Sequence, residues 1–249
     1  MQITPPFGYR DVVPLYKTQK VRLLSPGEIP AFAHDLNAIP ISFTEFALIG
    51  REYPIVFTSG DKGQTFAPVA VLGMTQGENL FYADGAWAKG VYVPAYVRRY
   101  PFCMATVTLD KVQQQDRLIC VEQSRLVDDG EALFDEAGNP LDKWKEMERL
   151  LVEYEADLER SREMCAILSD YGLLEPFTMQ ATLNSGDAMH LTGMHRVDEK
   201  KLEHLNASQI KNLMRKGVMG RIYTHLLSLD SFSTLLDRKA GLRKAKASA

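Results

Sequence analysis

Hydrophobic and polar positions follow three different patterns along the chain, and each pattern predicts a different kind of structure. Residues 1–37 mix prolines with short apolar pieces, which predicts an irregular arm with a short strand near Val21–Leu24 and a helical turn near Glu28–Leu36. Residues 38–125 hold short β-rich runs separated by turn signals, which predicts a sheet region. Residues 126–249 carry apolar side chains at three- and four-residue spacing, which predicts a mainly helical region.

The sheet region contains five runs that we expect to form strands. These runs are Tyr53–Thr58, Phe66–Met74, Asn79–Ala83, Phe102–Leu109 and Arg117–Gln123. Most of them are separated by only a few residues, and crossover helices need a dozen or more. The sheet is therefore predicted to be mainly antiparallel, with hairpin connections.

The helical region begins with a long amphipathic segment. Asn139 is suited to the N-cap and Pro140 to the first helical position, and Gly172 is suited to the position after the helix end. The pattern predicts a helix of about 30 residues that ends near Tyr171, with a length of about 45 Å. Its polar face is strongly acidic.

A hairpin and capped helices are predicted after the long helix. The hairpin strands are Pro176–Leu183 and Ala188–Val197. Asp198 is placed to cap one helix, and Asn206 with Gln209 forms a capping-box pattern for the next. We expect the basic C-terminal residues, which include Arg238 and Lys239, to form a frayed tail. Together these elements predict an α+β fold in one domain over residues 1–249: a mainly antiparallel sheet packed against a long helix and a C-terminal helical cluster.

Composition adds little to this description of the fold, but it excludes several classes of function. The chain has 249 residues and a formal net charge of -3, so its overall charge does not favour nucleic acid or a membrane surface. The near-neutral total conceals an acidic long helix and a basic C-terminal quarter. The first residues lack a secretory pattern, and we find no apolar stretch long enough to span a bilayer. We therefore expect a cytoplasmic protein without a membrane span.

The cysteines and the familiar catalytic motifs carry little chemistry. Cys103, Cys120 and Cys165 are widely spaced and form no Cys-x-x-Cys, and their apolar neighbours favour buried core positions. The sequence has no Gly-x-Gly-x-x-Gly, P-loop, Gly-x-Ser-x-Gly or His-Glu-x-x-His motif. No cofactor is predicted.

A metal site is the alternative hypothesis, and it depends on two histidines. His190 and His195 are flanked by Asp187 and Asp198, and these residue types ligate zinc or iron. In a regular strand the odd separation places the two histidines on opposite faces of the sheet. A bulge at Gly193 could reset that register.

The densest cluster of recognition-type side chains lies between Phe81 and Phe102. We predict a ligand-binding site at Trp87, Tyr92, Tyr96, Arg98, Arg99 and Tyr100. Pro94 can open a short helix here. Tyrosine and arginine combine rigid area with fork-shaped donors that grip carboxylate or phosphate. The alternative is a corner of the core, with the arginines paired to Glu78, Asp84 or the acidic helix.

Several strings of the chain resemble the SapC-like family of bacterial proteins. The most specific string is Tyr92-Val-Pro-Ala-Tyr-Val-Arg-Arg-Tyr-Pro-Phe102. Others are Asn37-Ala-Ile-Pro40, Glu45-Phe46, Tyr53-Pro-Ile-Val-Phe57, Pro68-Val-Ala-Val-Leu-Gly73, Gly77-Glu-Asn-Leu-Phe81, Leu133-Phe-Asp135, Arg196-Val-Asp198 and His225-Leu-Leu-Ser228. The resemblance covers roughly residues 10–236. It implies a link to export or modification of a surface-layer protein, and it supplies no catalytic residues.

These observations lead to three hypotheses about function. The first is a cytoplasmic accessory protein that binds a peptide, a protein or a small ligand and is not itself an enzyme. The second is a metal-dependent enzyme that acts on a peptide or small molecule near His190 and His195. The third is a structural subunit whose long helix packs on a partner, either another protein or a second copy of the chain.

Overall fold

The computed structural model describes residues 2–25, 27–83, 85–109, 112–113, 117–182 and 188–247, which form antiparallel sheets and helices. The strands are β1 (Gln2–Thr4), β2 (Val12–Pro14), β3 (Lys20–Val21), β4 (Ala38–Pro40), β5 (Ile55–Thr58), β6 (Ala67–Val71), β7 (Tyr82–Ala83), β8 (Ala86–Trp87), β9 (Phe102–Leu109), β10 (Val112–Gln113), β11 (Leu118–Glu122), β12 (Glu131–Ala132), β13 (Leu174–Thr182) and β14 (Ala188–Val197). The helices are α1 (Phe46–Ile49), α2 (Ala95–Arg98), α3 (Asp142–Asp170), α4 (Glu199–Leu202), α5 (Ala207–Arg215), α6 (Val218–Ser228) and α7 (Ser231–Ala247).

The predicted sheet is divided into two larger sheets. The first has the strand order β1-β9-β11-β2, and β10 also pairs with β9. The second has the order β13-β14-β5-β6-β4, so the hairpin that follows the long helix extends the sheet formed by the earlier strands. Every strand pairing in the described residues is antiparallel, as predicted. The α+β class is therefore confirmed.

The N-terminal arm has more regular structure than its prolines indicate. β1 pairs with β9 and β2 pairs with β11, so the arm supplies both edges of the first sheet. Pro14 lies at the last position of β2, on an edge strand, where a missing backbone N–H is tolerated. The predicted helical turn is present as a short 3-10 helix at Ala31–Ala33.

The long helix is confirmed, but its predicted start was wrong. α3 begins at Asp142, two positions after the proline that was expected to open it. Pro140 instead forms a bridge with Phe134, and the side chain of Asn139 donates to Asp135. These contacts hold residues 139 and 140 in a loop, so Asn139 cannot act as the cap.

The end of the long helix agrees with the prediction. Gly172 follows the helix with a φ of +64°, a conformation that favours glycine. The N–H of Gly172 donates to Ser169 O and that of Leu173 to Leu168 O, which is the hydrogen-bond pair of a Schellman motif. The chain therefore turns sharply into β13.

The C-terminal cluster confirms both predicted caps and corrects the predicted tail. Asp198 accepts from the N–H of Lys200, and Asn206 with Gln209 forms a capping box. α7, however, continues through residues 238 and 239. Lys239 is buried with its Nζ 2.6 Å from Glu78 Oε1, and the guanidinium of Arg238 lies 4.4 Å from the ring centre of Phe81. The prediction of a frayed tail was wrong for these two residues because they pack against the loop that precedes β7.

The core is built from the faces that the two sheets turn toward α3. The largest apolar cluster joins the second sheet to α3 and α6, and a smaller one joins Phe102 and Val121 of the first sheet to Trp144 and Leu151. All three cysteines are buried, as predicted, and burial raises the pKa of the Cys165 thiol to about 12. None of the described helices is long and apolar enough to cross a membrane.

Candidate functional site

The structure separates the six predicted site residues by burial. α2 follows Pro94, as predicted, and it fixes the direction of the side chains around it. Trp87, Tyr96 and Arg99 are buried, while Tyr92 and Tyr100 are half-buried. Arg98 is the exposed member of the set. Arg98, at the end of α2, and Arg99, directly after it, therefore have different environments.

Arg99 lies inside a cage of tyrosine rings. Its guanidinium carbon is 4.1 Å from the ring centre of Tyr96, 4.9 Å from that of Tyr154 and 5.6 Å from that of Tyr9. Its Nη1 is 3.7 Å from Oε1 of Glu155, a carboxylate on α3. This pairing with the acidic helix is the arrangement expected of a core corner.

Two of the three tyrosine hydroxyls near Arg99 donate to backbone carbonyl groups. Tyr96 donates to Phe7 O at 2.6 Å, and Tyr9 donates to Phe102 O at 2.7 Å. Tyr154 Oη, Arg99 Nε and Glu155 Oε1 are buried without a hydrogen-bond partner among the described residues. Burial raises the pKa of Tyr154 and of Glu155. The cage thus contains polar groups but is shielded from solvent.

Arg98 is held outside this cage, at the surface. Its Nε donates to Val93 O at 3.0 Å, and its Nη2 donates to the hydroxyl of Tyr92 at 2.7 Å. The guanidinium also lies 5.3 Å from the centre of the Tyr92 ring. Three contacts therefore fix the direction of an exposed cation.

A buried carboxylate holds Tyr92 in place. Oε1 of Glu45 accepts from the Tyr92 hydroxyl at 3.0 Å and from the Ala95 N–H at 2.6 Å. Oε2 accepts from the N–H and the hydroxyl of Ser42. Burial and the negative charge of Glu45 raise the pKa of Tyr92 to about 12, so its hydroxyl keeps its proton at neutral pH. Glu45 therefore ties the start of α2 to α1 and orients the residue that braces Arg98.

Trp87, Arg98 and Tyr100 line one open cavity of about 500 Å³. Its other walls are mainly apolar and come from the segment after β3, from α2 and the loop before it, and from α3. They include Leu23, Ile29, Val91, Val97 and Met147. A second cavity of about 720 Å³ shares Leu23, Leu24, Arg98 and Met147 with the first and extends along α3. We call the two adjoining cavities the Trp87 groove.

Two hydrogen bonds and one ion pair shape the apolar part of the Trp87 groove. Trp87 Nε1 donates to the Tyr53 hydroxyl at 2.9 Å, which in turn donates to Tyr92 O at 2.5 Å. Arg125 lies 5.4 Å from the centre of the Tyr100 ring and pairs with Glu28 at 3.2 Å. The aromatic walls are thus fixed before any ligand arrives.

Some residues of the groove were not identified from the sequence. Leu23 and Leu24 belong to the arm and Met147 belongs to α3, and none of the three was among the predicted site residues. Glu45 was named only in one of the short sequences that resemble the SapC-like family. A buried glutamate with four hydrogen-bond donors can be recognised only when the fold brings those donors together.

The geometry of β14 corrects the interpretation of the two histidines. Met194 pairs with Phe177 and Leu191 pairs with Met179, so two residues of β14 oppose one of β13. Gly193 lies in this bulge with a φ of +78°. His190 and His195 oppose Gln180 and Pro176, so they share a face, contrary to the regular-strand prediction.

Sharing a face does not bring the two histidines close together. Their partners are four residues apart on β13, which corresponds to about 13 Å at roughly 3.3 Å per residue. Asp198 caps α4, while Asp187 lies outside the described residues. Within the described ranges, no three His, Cys, Asp or Glu side chains are grouped to hold a metal ion.

His225 has a structural position in the core. One ring nitrogen, Nδ1, is 2.8 Å from Ile55 O, and the other, Nε2, accepts from the Val197 N–H at 3.1 Å. Ser228 accepts from the Ile55 N–H, so α6 satisfies both backbone groups of one β5 residue. Burial lowers the pKa of His225 to about 4, so the ring is neutral at pH 7.

The fold and the groove define an α+β protein with a preformed, mainly apolar cavity beside a long acidic helix. The family model described as SapC matches residues 19–235, so the chain belongs to the SapC family. No curated protein and no solved structure matches the chain.

Proposed function

We propose that this SapC-family protein is an accessory protein that binds a small organic ligand or an apolar peptide segment in the Trp87 groove. The observation that carries the proposal is the open cavity of about 500 Å³ lined by Trp87 and by aliphatic side chains. Cavities of this size and composition are the usual form of small-molecule sites. The fixed positions of Trp87 and Tyr100 reduce the entropy lost on binding.

The resemblance to the SapC-like family supports a biological setting for this binding. In this proposal the protein acts in the cytoplasm and assists the export or modification of a surface protein. A deletion strain that regains its surface-exposed protein with the wild-type chain, but not with a groove-filling variant, would support this setting. Equal recovery with both chains would argue against it.

The binding itself is tested with an uncharged fluorescent probe, N-phenyl-1-naphthylamine, whose emission rises in apolar surroundings. Ala88 lines the cavity, so Ala88→Phe places a ring in the space that the probe needs. We expect saturable 1:1 binding to the wild-type protein and at least tenfold weaker binding to Ala88→Phe. The matched control is Val152→Phe, a similar enlargement at an exposed position of α3, and it should bind normally.

Two results would contradict the proposal. One is the absence of saturable binding to the wild-type protein. The other is equal affinity of the wild-type protein and Ala88→Phe. A second filling variant, Val91→Phe, enters the same cavity from the loop before α2 and gives the same test if Ala88→Phe folds poorly.

A further inference from the structure

Arg98 is a fixed cation with donors to spare. Among the described residues, two of its five guanidinium N–H groups are used, one by Val93 O and one by the Tyr92 hydroxyl, which leaves three. Among the residues that the structure describes, no carboxylate forms an ion pair with Arg98. The free edge belongs to a side chain that lines both parts of the Trp87 groove.

The charges around the apolar cavity do not balance. The described charged residues that line it are Glu28, Lys89 and Arg98, and Glu28 is already paired with Arg125. Lys89 is exposed and forms no ion pair within the described part of the chain. Within the described ranges, two cations therefore border an apolar cavity without a neutralising carboxylate of their own.

Among the described residues, no carboxylate of the adjoining cavity pairs with Arg98. Glu131 pairs with Lys143 and Glu153 pairs with Arg149, while Glu146 lines the cavity without forming an ion pair with Arg98. Glu45 is linked to Arg98 only through the Tyr92 hydroxyl, which donates to Glu45 and accepts from Arg98. Glu45 therefore positions Arg98 through Tyr92, and it takes up none of the three remaining guanidinium N–H groups.

We infer that the Trp87 groove selects an amphipathic organic carboxylate, whose carboxylate binds the free edge of Arg98 and whose apolar body lies against Trp87, Val97 and Met147. This inference rests on the proposed function, since it names the class of ligand for the same groove. A guanidinium edge matches two coplanar oxygens, and such charge-assisted pairs are stronger than neutral hydrogen bonds. One free edge suits a monoanion.

The test compares sodium octanoate with octan-1-ol by isothermal titration calorimetry on the full chain. The two probes have the same carbon chain, and only octanoate carries the anion. We expect octanoate to bind at least tenfold more tightly than octan-1-ol. In Arg98→Gln the preference should fall below about threefold, while octan-1-ol binds as before. Arg51→Gln, an equivalent change at an exposed arginine outside the groove, should keep the preference.

A second pair of probes distinguishes two sources of the carboxylate. The peptide Leu-Val-Leu-Phe is titrated with a free and with an amidated C-terminus. If the protein prefers the free peptide over the amidated one at least tenfold, and by more than it prefers octanoate over octan-1-ol, the ligand is a peptide C-terminus. If the preference for octanoate is the larger of the two, the ligand is a free organic acid. Either result supports the inference, and equal binding of both forms in both pairs overturns it.

Failure of this inference is separable from failure of the proposed function. If octan-1-ol and the amidated peptide bind as tightly as octanoate and the free peptide, the carboxylate class is wrong while the groove remains a ligand site. If none of these probes nor N-phenyl-1-naphthylamine binds, the proposed function fails as well. The preferences measured in the wild-type protein depend on no variant, so ratios near one in both pairs overturn the inference even if Arg98→Gln folds poorly.

Discussion

Arg98, the last residue of α2, and Arg99, which follows it, provide a direct comparison of an exposed cation with a buried one. Arg99 is 2% exposed and contacts three tyrosine rings and Glu155, whereas Arg98 is exposed to solvent. Arg99→Ala removes the cation from the cage and leaves a space among the rings. Arg98→Ala removes a surface side chain with the same chemistry. We expect a large loss of stability from the first change and a small one from the second.

The magnitude follows from the contacts. Removal of one partner of a buried ion pair costs about 3–5 kcal/mol. The lower end applies here because Arg117 stays 2.5 Å from Glu155 and keeps that carboxylate paired. We therefore expect Arg99→Ala to lower the free energy of unfolding by about 3 kcal/mol. Arg98→Ala should lower it by no more than about 1 kcal/mol, as is typical of exposed charged contacts.

Thermal unfolding followed by circular dichroism measures this difference. For a chain of this size, 1 kcal/mol shifts Tm by about 2–4 °C, so Arg99→Ala should lower Tm by about 6–12 °C. Arg98→Ala should lower it by at most about 4 °C. Equal shifts for the two variants, or a Tm for Arg99→Ala within about 2 °C of the wild type, would refute the argument that Arg99 is a core residue.

Two further predictions concern buried titratable groups. The pKa of His225 is about 4 in the folded chain and about 6.5 when unfolded, so the unfolded state binds the extra proton between these values. Stability should be complete above about pH 6.5 and fall by up to about 3 kcal/mol as the pH drops to 4. His225→Gln should flatten this dependence in urea titrations, and parallel wild-type and variant profiles would contradict the assignment. Glu45→Gln should cost about 2 kcal/mol in urea unfolding because it presents an amide to donors of Ser42, Tyr92 and Ala95, whereas Glu159→Gln on the exposed face of α3 should be near neutral.

Local signals predicted the elements well where neighbouring residues decide the structure. The apolar spacing of α3, the Gly172 end and the Asn206 capping box all depend on contacts within a few residues. The start of α3 failed for the opposite reason. Pro140 is held by a bridge to Phe134, and this loop contact competes with the helix-start signal.

Long-range contacts account for the remaining differences. The basic residues 238 and 239 looked solvated because their partners, Phe81 and Glu78, lie about 160 residues earlier in the chain. The bulge at Gly193 was considered from the sequence, but only the pairing with β13 shows that it reverses the face of one histidine. Such outcomes are set by tertiary packing.

The candidate site was predicted in part. The aromatic and arginine side chains between Phe81 and Phe102 pointed to Trp87, Arg98 and Tyr100, which line one cavity. The same pattern grouped them with Tyr96 and Arg99, which are buried. Composition cannot show which of Arg98 and Arg99 is buried. The two are adjacent at the end of α2, and only the direction of each side chain distinguishes them. The opposite wall comes from Leu23 and Met147, more than 120 residues apart in sequence.

The central claim is that an amphipathic carboxylate occupies the Trp87 groove, and the position of a bound probe tests it most directly. In a chain labelled with ¹³C at the methionine methyl groups, intermolecular nuclear Overhauser effects from octanoate report which methionines it contacts. Met147 lines the groove, while Met214 is 63% exposed on α5 and reports non-specific apolar contact. We predict effects at the Met147 methyl and none at Met214. Effects at Met214 without any at Met147, or none at either, would contradict it.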